Sequence, residues 1–520
     1  MNKKSSIILI VIIGFILYFN SFFNGFVWDD EEQIVLNTSV HSIINIPSFF
    51  TQATFNAGGA VKMGGLYYRP LMITVFSLIY SIFGSGAFFF HFFQVAFHIA
   101  NVILLFLIFD HFLKKERLSL LLSLIFLVHP INSETVLYIS GLQDTLFFFF
   151  GALSFWIIIS KDKLTNYWTP ALLLFLSVVS KETGVVWWIV IPLYLFIFKL
   201  KGIKKLVPPL FVYAAFYSFL RFGLAKIYFA KHGLTEISKM NLAERLVNLP
   251  AIAFYYLKTF VWPISIAVEQ QWLIKEISFN SFYLPLIIGV IFLAILLFGA
   301  WYLFKKKDGY FNFYLLFLTG FLLSFAMHLQ FFPLDMTVSD RFFYLPQVFL
   351  LGLIGVFLAR LKKDGVVTWI FAVLIILFST RTFIRTFDWR TSLTLYSHDI
   401  NISKSFDLVN NLGVEMYRSG DIEAARGYFE KSIEMSPDWW TNYNNLGAYW
   451  EAKGDLPKAE GLYLTAMKNG NYYLAYENYA GILIKQGKIS KAKDFLENEA
   501  LKYFPYNQKL RYFYQYLLQN

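Results

Sequence analysis

Long apolar stretches alternate with short basic ones along the first 390 or so residues of the chain. A membrane-spanning helix needs roughly 20 mostly apolar residues, and the pattern predicts eleven such helices. They are placed near residues 6–23, 87–113, 117–134, 142–160, 166–181, 184–200, 206–229, 283–304, 310–330, 342–360 and 366–386. Two further apolar stretches, 71–83 and 249–262, are too short to cross a bilayer, so we expect helices lying at its outer interface.

The basic stretches predict which side of the membrane each loop faces. Cytoplasmic loops carry an excess of Lys and Arg, and eleven crossings put all of these stretches on one side. They lie at residues 3–4, 114–117, 161–163, 199–205, 305–307 and 360–363. The first apolar segment is not followed by a small-residue cleavage pattern, so we expect it to remain as a helix. The prediction is a multi-pass protein of the inner or plasma membrane, with a cytoplasmic amino terminus and an outward-facing carboxyl-terminal part.

A repeat of about 34 residues begins where the hydrophobic character ends. Gly413, Gly447 and Gly481 are spaced by 34 residues, and a second set of glycines and a set of alanines follow the same interval. This is the tetratricopeptide pattern, and it predicts three helical pairs and a terminal helix. The predicted domains are therefore 1–400, in the membrane, and 401–520, outside it, with 24–86 as the first outer loop. Such a solenoid typically holds an extended peptide on its concave face; a tail that only stabilises or oligomerises the protein is the alternative.

The composition agrees with a membrane protein. It argues against a disulfide or thiolate-metal protein and against a nucleic-acid-binding protein. Of 520 residues, 57% are hydrophobic, 15% are charged and none is Cys, so disulfides and thiolate metal sites are excluded. The net charge of +11 does not indicate a nucleic-acid surface, because residues 404–520 contain 14 basic and 14 acidic side chains. The excess lies among the apolar segments, where it sets orientation.

Charged side chains collect in the predicted outer loops. Asp29 and Asp30 follow the first helix, and Arg69, Lys181 and Arg341 lie in three other loops. Charges at membrane depth are costly unless they pair or line a wet cavity, so we expect a polar cavity open to the outside. A carboxylate can take a proton there, while fixed cations stabilise developing negative charge. Taken alone, an acidic pair in a loop is also compatible with a solvated surface.

The order of these motifs resembles the transmembrane tetratricopeptide-repeat O-mannosyltransferases. That family belongs to the C-type fold of glycosyltransferases, which use polyprenyl-phosphate sugars. The resemblance covers nearly the whole chain, although the repeat tail is short for the family. It rests on Val27-Trp28-Asp29-Asp30, Tyr68-Arg69-Pro70-Leu71, His129-Pro130 with Glu134, Lys181-Glu182, Trp262-Pro263, Asp340-Arg341, and Arg381 with Trp389.

The resemblance implies an all-α membrane enzyme with an inverting mechanism. Asp29 is expected to be the base and Asp30 its orienting partner or a metal contact. Arg69, Lys181 and Arg341 are expected to bind the lipid phosphate, and the two arginines rank higher because a guanidinium binds phosphate in a bidentate way. Glu134 joins the catalytic candidates, because no cation neighbours it in the sequence.

A second tier of candidates keeps simpler explanations open. It comprises His129, Glu182, Lys258, Asp340 and Arg381. His129-Pro130 can simply end a helix, and Asp340-Arg341 can be an internal ion pair at a helix start. No cofactor is certain; a divalent cation, Mg²⁺ or Mn²⁺, held by the oxygens of Asp29, Asp30 and Glu134 stays an open alternative.

The sequence leaves three functions in order of preference. The first is transfer of a sugar, mannose by analogy, from a polyprenyl phosphate to Ser or Thr of an exported polypeptide held by the repeats. The second is an enzyme of the same fold that modifies a lipid or glycan, with the repeats recruiting a partner. The third is a non-catalytic assembly or export component, which would leave the clustered charges without a purpose other than an ion or substrate path.

Overall fold

The computed structural model describes residues 2–54, 67–161, 164–228, 235–268, 270–361 and 364–519 of the 520-residue chain. These residues fold into helices joined by short loops, and no β-strand occurs among them. An isolated antiparallel bridge joins Gln270 to Val338. The all-α prediction is therefore confirmed for this part of the chain.

Apolar helices occupy every predicted membrane crossing. Seven of them are long and apolar enough to span a bilayer, and a bent pair makes an eighth. The seven are Lys3–Phe23, Ala87–Leu113, Ile139–Ser160, Leu200–Leu224, Phe279–Lys305, Asp340–Leu358 and Gly365–Asp388, and the bent pair is Glu116–Val128 with Pro130–Leu137. Shorter apolar helices, Trp168–Ser180, Glu182–Phe198 and Phe311–Ala326, lie at the remaining three predicted crossings. The chain is a multi-pass membrane protein.

The bend in the pair has a local cause at His129-Pro130. Proline disfavours helical geometry in the residue before it, and the first helix ends at Val128, with His129 extended. The chain then turns by 51°. The crossing predicted near 117–134 is therefore a bent pair of helices, and the explanation that His129-Pro130 ends a helix is confirmed. The bend carries Glu134 back into the protein.

The two predicted interface helices differ from each other. Pro70–Phe83 is a short apolar helix with the predicted extent. The second runs from Leu242 to Val261 and begins seven residues before the predicted 249–262, because Asn241 forms a capping box with Glu244. Its 20 residues include three charged side chains, and it is not among the candidate spans.

Beyond the last membrane helix, a connecting helix, Ser392–Asp399, leads into helical pairs. The pairs are Phe406–Arg418 with Ile422–Met435, Trp440–Ala452 with Leu456–Asn469, and Tyr473–Lys485 with Ile489–Phe495 and the turns up to Tyr503; Gln508–Gln519 follows. Gly413 and Gly447 allow close packing, since a Cβ at either would lie 2.7 Å from Phe429 or Tyr463. The first helices of the pairs form the inner face that is considered below.

The helical pairs are packed against the membrane helices. One continuous apolar core reaches from Ile10 in the first helix to Leu408 and Leu412 in the first helical pair. At the junction, Arg385 and Asp399 form a fully buried bidentate ion pair with N···O distances of 2.6 and 2.7 Å. The helical pairs are therefore held in a defined place against the membrane helices.

Candidate active site

Trp28 sets the direction of the two aspartates that follow it. Its φ of 56° lies in the left-handed region, which residues other than glycine rarely adopt. Its ring stacks on Tyr138, with 5.3 Å between the centroids. Strained backbone of this kind persists only where surrounding contacts enforce it. The consequence is that the carboxylates of Asp29 and Asp30 make separate contacts.

Asp30 is fully buried and is used as a structural anchor. Its Oδ1 accepts hydrogen bonds from the backbone N–H and the hydroxyl of Ser140, at 2.8 and 2.6 Å. Its Oδ2 accepts one from the backbone N–H of Val27 at 3.2 Å. Burial raises the pKa of Asp30 to about 7, against the opposing effect of these hydrogen bonds. Asp30 therefore holds the acidic loop against the start of the helix that contains Ser140.

Asp29 is the more accessible carboxylate of the pair, since it is only partly buried. Its Oδ2 accepts a hydrogen bond of 2.7 Å from the hydroxyl of Tyr138. Burial raises the pKa of Asp29, while this hydrogen bond and the charge of Arg341 lower it and the charge of Asp407 raises it. The structure therefore places Asp29 within electrostatic reach of Arg341, although 312 positions separate them in the sequence.

Arg341 lies between Tyr138 and Glu134. Its guanidinium carbon is 5.6 Å from the centroid of the Tyr138 ring, and its Nε is 3.5 Å from Oε1 of Glu134. Glu134 also accepts hydrogen bonds from the Ser339 hydroxyl, at 2.6 and 2.8 Å, and from the backbone N–H of Arg341. With its oxygens engaged in this way, Glu134 is suited to holding Arg341 in place and is less suited to taking a proton from a substrate.

Arg69 belongs to a second ion-pair group. Its Nε donates to Glu182 at 3.1 Å and its Nη1 donates to the amide oxygen of Gln143 at 2.6 Å. Its guanidinium carbon lies 4.0 Å from the centre of the Tyr67 ring. Glu182 also pairs with Arg221 at 3.5 Å. Glu182, a second-tier candidate, thus pairs with two arginines from distant segments. Its carboxylate holds these two arginines in position.

Lys181 links the two groups. Its Nζ donates to Asp144 at 2.5 Å, and both side chains are buried. The charges of Arg69 and Arg341 both act on it. The Phe342 ring is near both cations, with its centroid 5.4 Å from Nζ of Lys181 and 5.9 Å from the guanidinium carbon of Arg341. Each of the three predicted phosphate-binding cations is therefore paired with a carboxylate, and all three lie within electrostatic reach of one another or of Asp29.

His129 and Lys258 do not join this group. The Nε2 of His129 bonds the carbonyl oxygen of Phe260 at 2.9 Å, and its ring stacks on the Phe260 ring, so it braces the helix bend. Lys258 is exposed and lines an apolar groove of about 820 Å³. Tyr255 and Tyr256, on the same helix, instead reach residues 339 and 340 beside the site.

Asp340 and Arg381 have separate partners. Asp340 accepts a hydrogen bond from the Tyr255 hydroxyl at 2.6 Å, and the ion pair of Arg341 is with Glu134. The alternative of an Asp340–Arg341 pair is therefore not supported. Arg381 donates to the carbonyl oxygen of Ile264 at 3.1 and 3.3 Å and supports the loop after the 242–261 helix.

The oxygens proposed for a metal are not brought together. Asp29, Asp30 and Glu134 all lie within the described part of the chain, and no group of three potential His, Cys, Asp or Glu ligands was found there. Asp30 is bonded to Ser140, and Glu134 is bonded to Ser339 and Arg341. The open alternative of a cation held by these three residues is therefore not favoured by their arrangement, because hydrogen-bond and ion-pair partners engage Asp30 and Glu134.

Sequence reasoning missed four residues that build the site: Tyr138, Ser140, Asp144 and Ser339. Asp144 had a usable signal, since a carboxylate near the start of an apolar helix is costly without a partner. Tyr138 and Ser140 had none, because tyrosine and serine are ordinary at the outer end of a membrane helix. Their importance comes from the acidic loop folding onto them across more than 100 residues.

The fold and the site define a class: a multi-pass α-helical membrane protein with a carboxyl-terminal set of helical pairs and with three cation–carboxylate pairs near a partly exposed aspartate. No family model matches the chain. It is 25% identical over 518 aligned residues to the human protein O-mannosyl-transferase TMTC3, covering 88% of this chain and 54% of the relative. It is 22% identical to protein O-mannosyl-transferase F38B6.6 of Caenorhabditis elegans, covering 84% of this chain and 63% of the relative.

The chain therefore spans a little over half of the length of these curated relatives. Among solved structures, it is similar to ArnT from Cupriavidus metallidurans bound to undecaprenyl phosphate. That match covers 98% of this chain and 84% of the other, at 13% identity and a TM-score of 0.42. A likeness at this level does not by itself define the fold.

Proposed function

We propose that this protein is an inverting glycosyltransferase that moves one sugar from a polyprenyl phosphate to a Ser or Thr hydroxyl of an exported polypeptide. The observation that carries the proposal is Asp29, a partly exposed carboxylate within electrostatic reach of Arg341 and near two further paired cations contributed by separate loops. The names of the relatives support a protein acceptor and mannose as the sugar. The outer face of the membrane follows from the distribution of basic loops.

Each residue type in the site suits one part of such a transfer. The Asp29 carboxylate takes the proton of the acceptor hydroxyl, and the acceptor oxygen forms a bond to the anomeric carbon. The bond from that carbon to the phosphate oxygen breaks, and the electron pair leaves with the lipid phosphate. Arg341, Arg69 and Lys181 stabilise the departing negative charge. One displacement inverts the anomeric configuration.

The apolar groove supports a lipid-linked donor. It has a volume of about 820 Å³ and lies between the 242–261 helix and the membrane helices near Ile288, Tyr302 and Leu350. Phe254, Leu257 and Lys258 line it, while Tyr255 and Tyr256 on the same helix contact the loop that carries Arg341. A polyprenyl chain in this groove would therefore pack on the helix whose tyrosines contact the loop that carries Arg341.

The test is transfer from a radiolabelled mannosyl polyprenyl phosphate by the purified full chain. Asp29→Asn should fold normally and lose at least about a hundredfold in rate, because a general base contributes roughly 10²–10⁴. Asp110→Asn is the matched control: Asp110 is also a nearly buried aspartate, and it pairs with Lys3 at 2.7 Å near the predicted cytoplasmic end of its helix. Its rate should remain normal.

The labelled product decides the acceptor class. A labelled polypeptide band supports transfer to protein, whereas label found only in an organic-extractable product would assign the acceptor to a lipid. Undiminished transfer by a folded Asp29→Asn variant would remove Asp29 from the role of base. No transfer by the wild-type chain with any acceptor would overturn the proposal.

A further inference from the structure

The inner face of the repeats carries asparagines at the interval of the repeat. Asn410, Asn444 and Asn478 are each 34 residues apart, and Asn411 and Asn445 follow the first two. All five lie on the first helices of the three helical pairs. Asn410 and Asn444 are buried, whereas Asn411, Asn445 and Asn478 remain partly exposed. Each pair therefore presents one accessible carboxamide on this face.

The five side chains form one hydrogen-bonded series. Asn478 donates to Asn444 at 3.0 Å, and Asn444 donates to Asn445 at 3.3 Å. Asn445 donates to Asn410 at 2.9 Å, and Asn410 donates to Asn411 at 3.3 Å. A carboxamide has two N–H donors and two acceptor positions. Within the series, each asparagine donates at most one of its N–H groups and accepts at most one hydrogen bond. Every accessible asparagine therefore retains an N–H donor and an acceptor position for a ligand.

The series ends above the acidic loop. Asn411 lies on one helical face with Asp407 and Glu415, four residues before and after it. The charge of Asp407 acts on Asp29. Glu415 bonds Arg418 at 2.9 Å, and Arg418 holds both oxygens of Glu31 at 3.0 and 2.8 Å.

The third helical pair contacts the same loop. The hydroxyl of Tyr472 donates to Glu32 at 2.7 Å. Glu31 and Glu32, which directly follow the aspartates, are thus bonded to the first and third pairs. The helices that carry the asparagine series are therefore joined to the acidic loop at two places, and Asn411 shares a helical face with Asp407, whose charge acts on Asp29.

We propose that Asn411, Asn445 and Asn478 form a binding site for the backbone of an extended acceptor polypeptide and guide its hydroxyl to Asp29. This inference rests on the function proposed above. An extended backbone repeats N–H and C=O groups at regular intervals and leaves them unpaired. Carboxamides repeated along a groove match both groups, and they carry no charge that would select acidic or basic side chains. The site therefore selects an extended conformation and tolerates many sequences.

The experiment uses the full chain, radiolabelled donor and two acceptors. One is an unstructured Ser/Thr peptide of about twenty residues, long enough at roughly 3.3 Å per residue to cover several repeats. The other is a blocked single serine, which cannot reach the asparagines. The triple variant Asn411→Ala, Asn445→Ala, Asn478→Ala should raise KM for the peptide at least about tenfold, through the loss of three modest hydrogen-bonding sites. Its kcat/KM for the blocked serine should equal that of the wild type.

Asn498→Ala is the matched control, since Asn498 is exposed on the outer helix of the third pair and bonds only Asp494 among the hydrogen bonds found. It should change neither KM.

A second measurement alters the peptide and leaves the protein intact: N-methylation of alternate peptide bonds removes backbone donors. The methylated peptide should bind the wild-type chain about tenfold more weakly. If the triple variant folds, methylation should have little further effect on it, because the two changes remove the same contacts.

The outcomes separate this inference from the proposed function. An unchanged peptide KM in a folded triple variant, or full-strength binding of the methylated peptide to the wild type, would overturn the asparagine site while leaving the enzyme assignment intact. Loss of transfer to the blocked serine, with peptide binding unaffected, would also contradict it. Failure of the wild type to use either acceptor would instead refute the proposed function.

Discussion

The hydrogen bond from Tyr138 to Asp29 should set the pH at which the proposed sugar transfer begins. Its length is 2.7 Å, and the carboxylate it reaches is partly buried beside Arg341. The bond stabilises the charged form of Asp29 and so lowers its pKa, against the larger raising effect of burial. Tyr138→Phe removes only the hydroxyl and keeps the ring that stacks on Trp28.

The size of the effect follows from the strength of the bond. A hydrogen bond to a charged group contributes about 1.5–3 kcal/mol, and one pKa unit corresponds to about 1.4 kcal/mol. The pKa of Asp29 should therefore rise by about one to two units in Tyr138→Phe. Because the base must be ionised, transfer is lost as the pH falls through this pKa. The acid limb of the pH profile should move to higher pH by the same amount.

The assay is kcat/KM for transfer to the blocked serine, measured across the pH range. Tyr138→Phe should approach the wild-type rate at high pH and be roughly 10- to 100-fold slower on the acid side. Tyr18→Phe is the control: it also removes a buried hydroxyl, which donates to the carbonyl oxygen of Leu127, and it should leave the limb in place. A limb that stays unmoved in Tyr138→Phe, or moves to lower pH, would refute the assignment of Asp29 as base.

Two further predictions concern the cations. Arg341→Lys keeps the charge but loses the planar guanidinium, so KM for the lipid donor should rise about tenfold or more. The unfolding temperature should stay close to that of the wild type. An unchanged KM would mean that Arg341 does not bind the phosphate. Arg385→Met leaves the fully buried Asp399 without its cation and should lower the free energy of unfolding by about 3–5 kcal/mol. Unfolding of Arg385→Met at the wild-type temperature would contradict a structural role for this pair.

The elements that the sequence predicted best are those governed by short-range patterns. Apolar helices lie at all eleven predicted crossings, because burying backbone polar groups in a bilayer requires a helix wherever the chain is apolar. Predictions failed where a few local contacts decide the outcome. The helix predicted at 249–262 starts at Leu242 instead, because Asn241 caps it, whereas the crossing near 117–134 is present and bends at His129.

The candidate site was predicted in part. Asp29, Arg69, Lys181 and Arg341 lie in one region, as the cost of membrane-depth charges required. The roles within that region were harder to foresee. Glu134, placed among the catalytic candidates, holds Arg341 and Ser339. These partners come from loops more than 200 positions away, and no local pattern records such a meeting.

By itself, the sequence determined where the helices and repeats lie. Both are encoded by short-range patterns: hydrophobic periodicity can be read over one or two helical turns, and the 34-residue interval over neighbouring repeats. Only the tertiary structure decided that Asp30 would be sealed against Ser140 and that Asp29 would remain accessible beside Tyr138. Two adjacent aspartates are chemically identical in the sequence. What distinguishes them is the solvent and the hydrogen-bond donors that a helix more than 100 residues away brings to each.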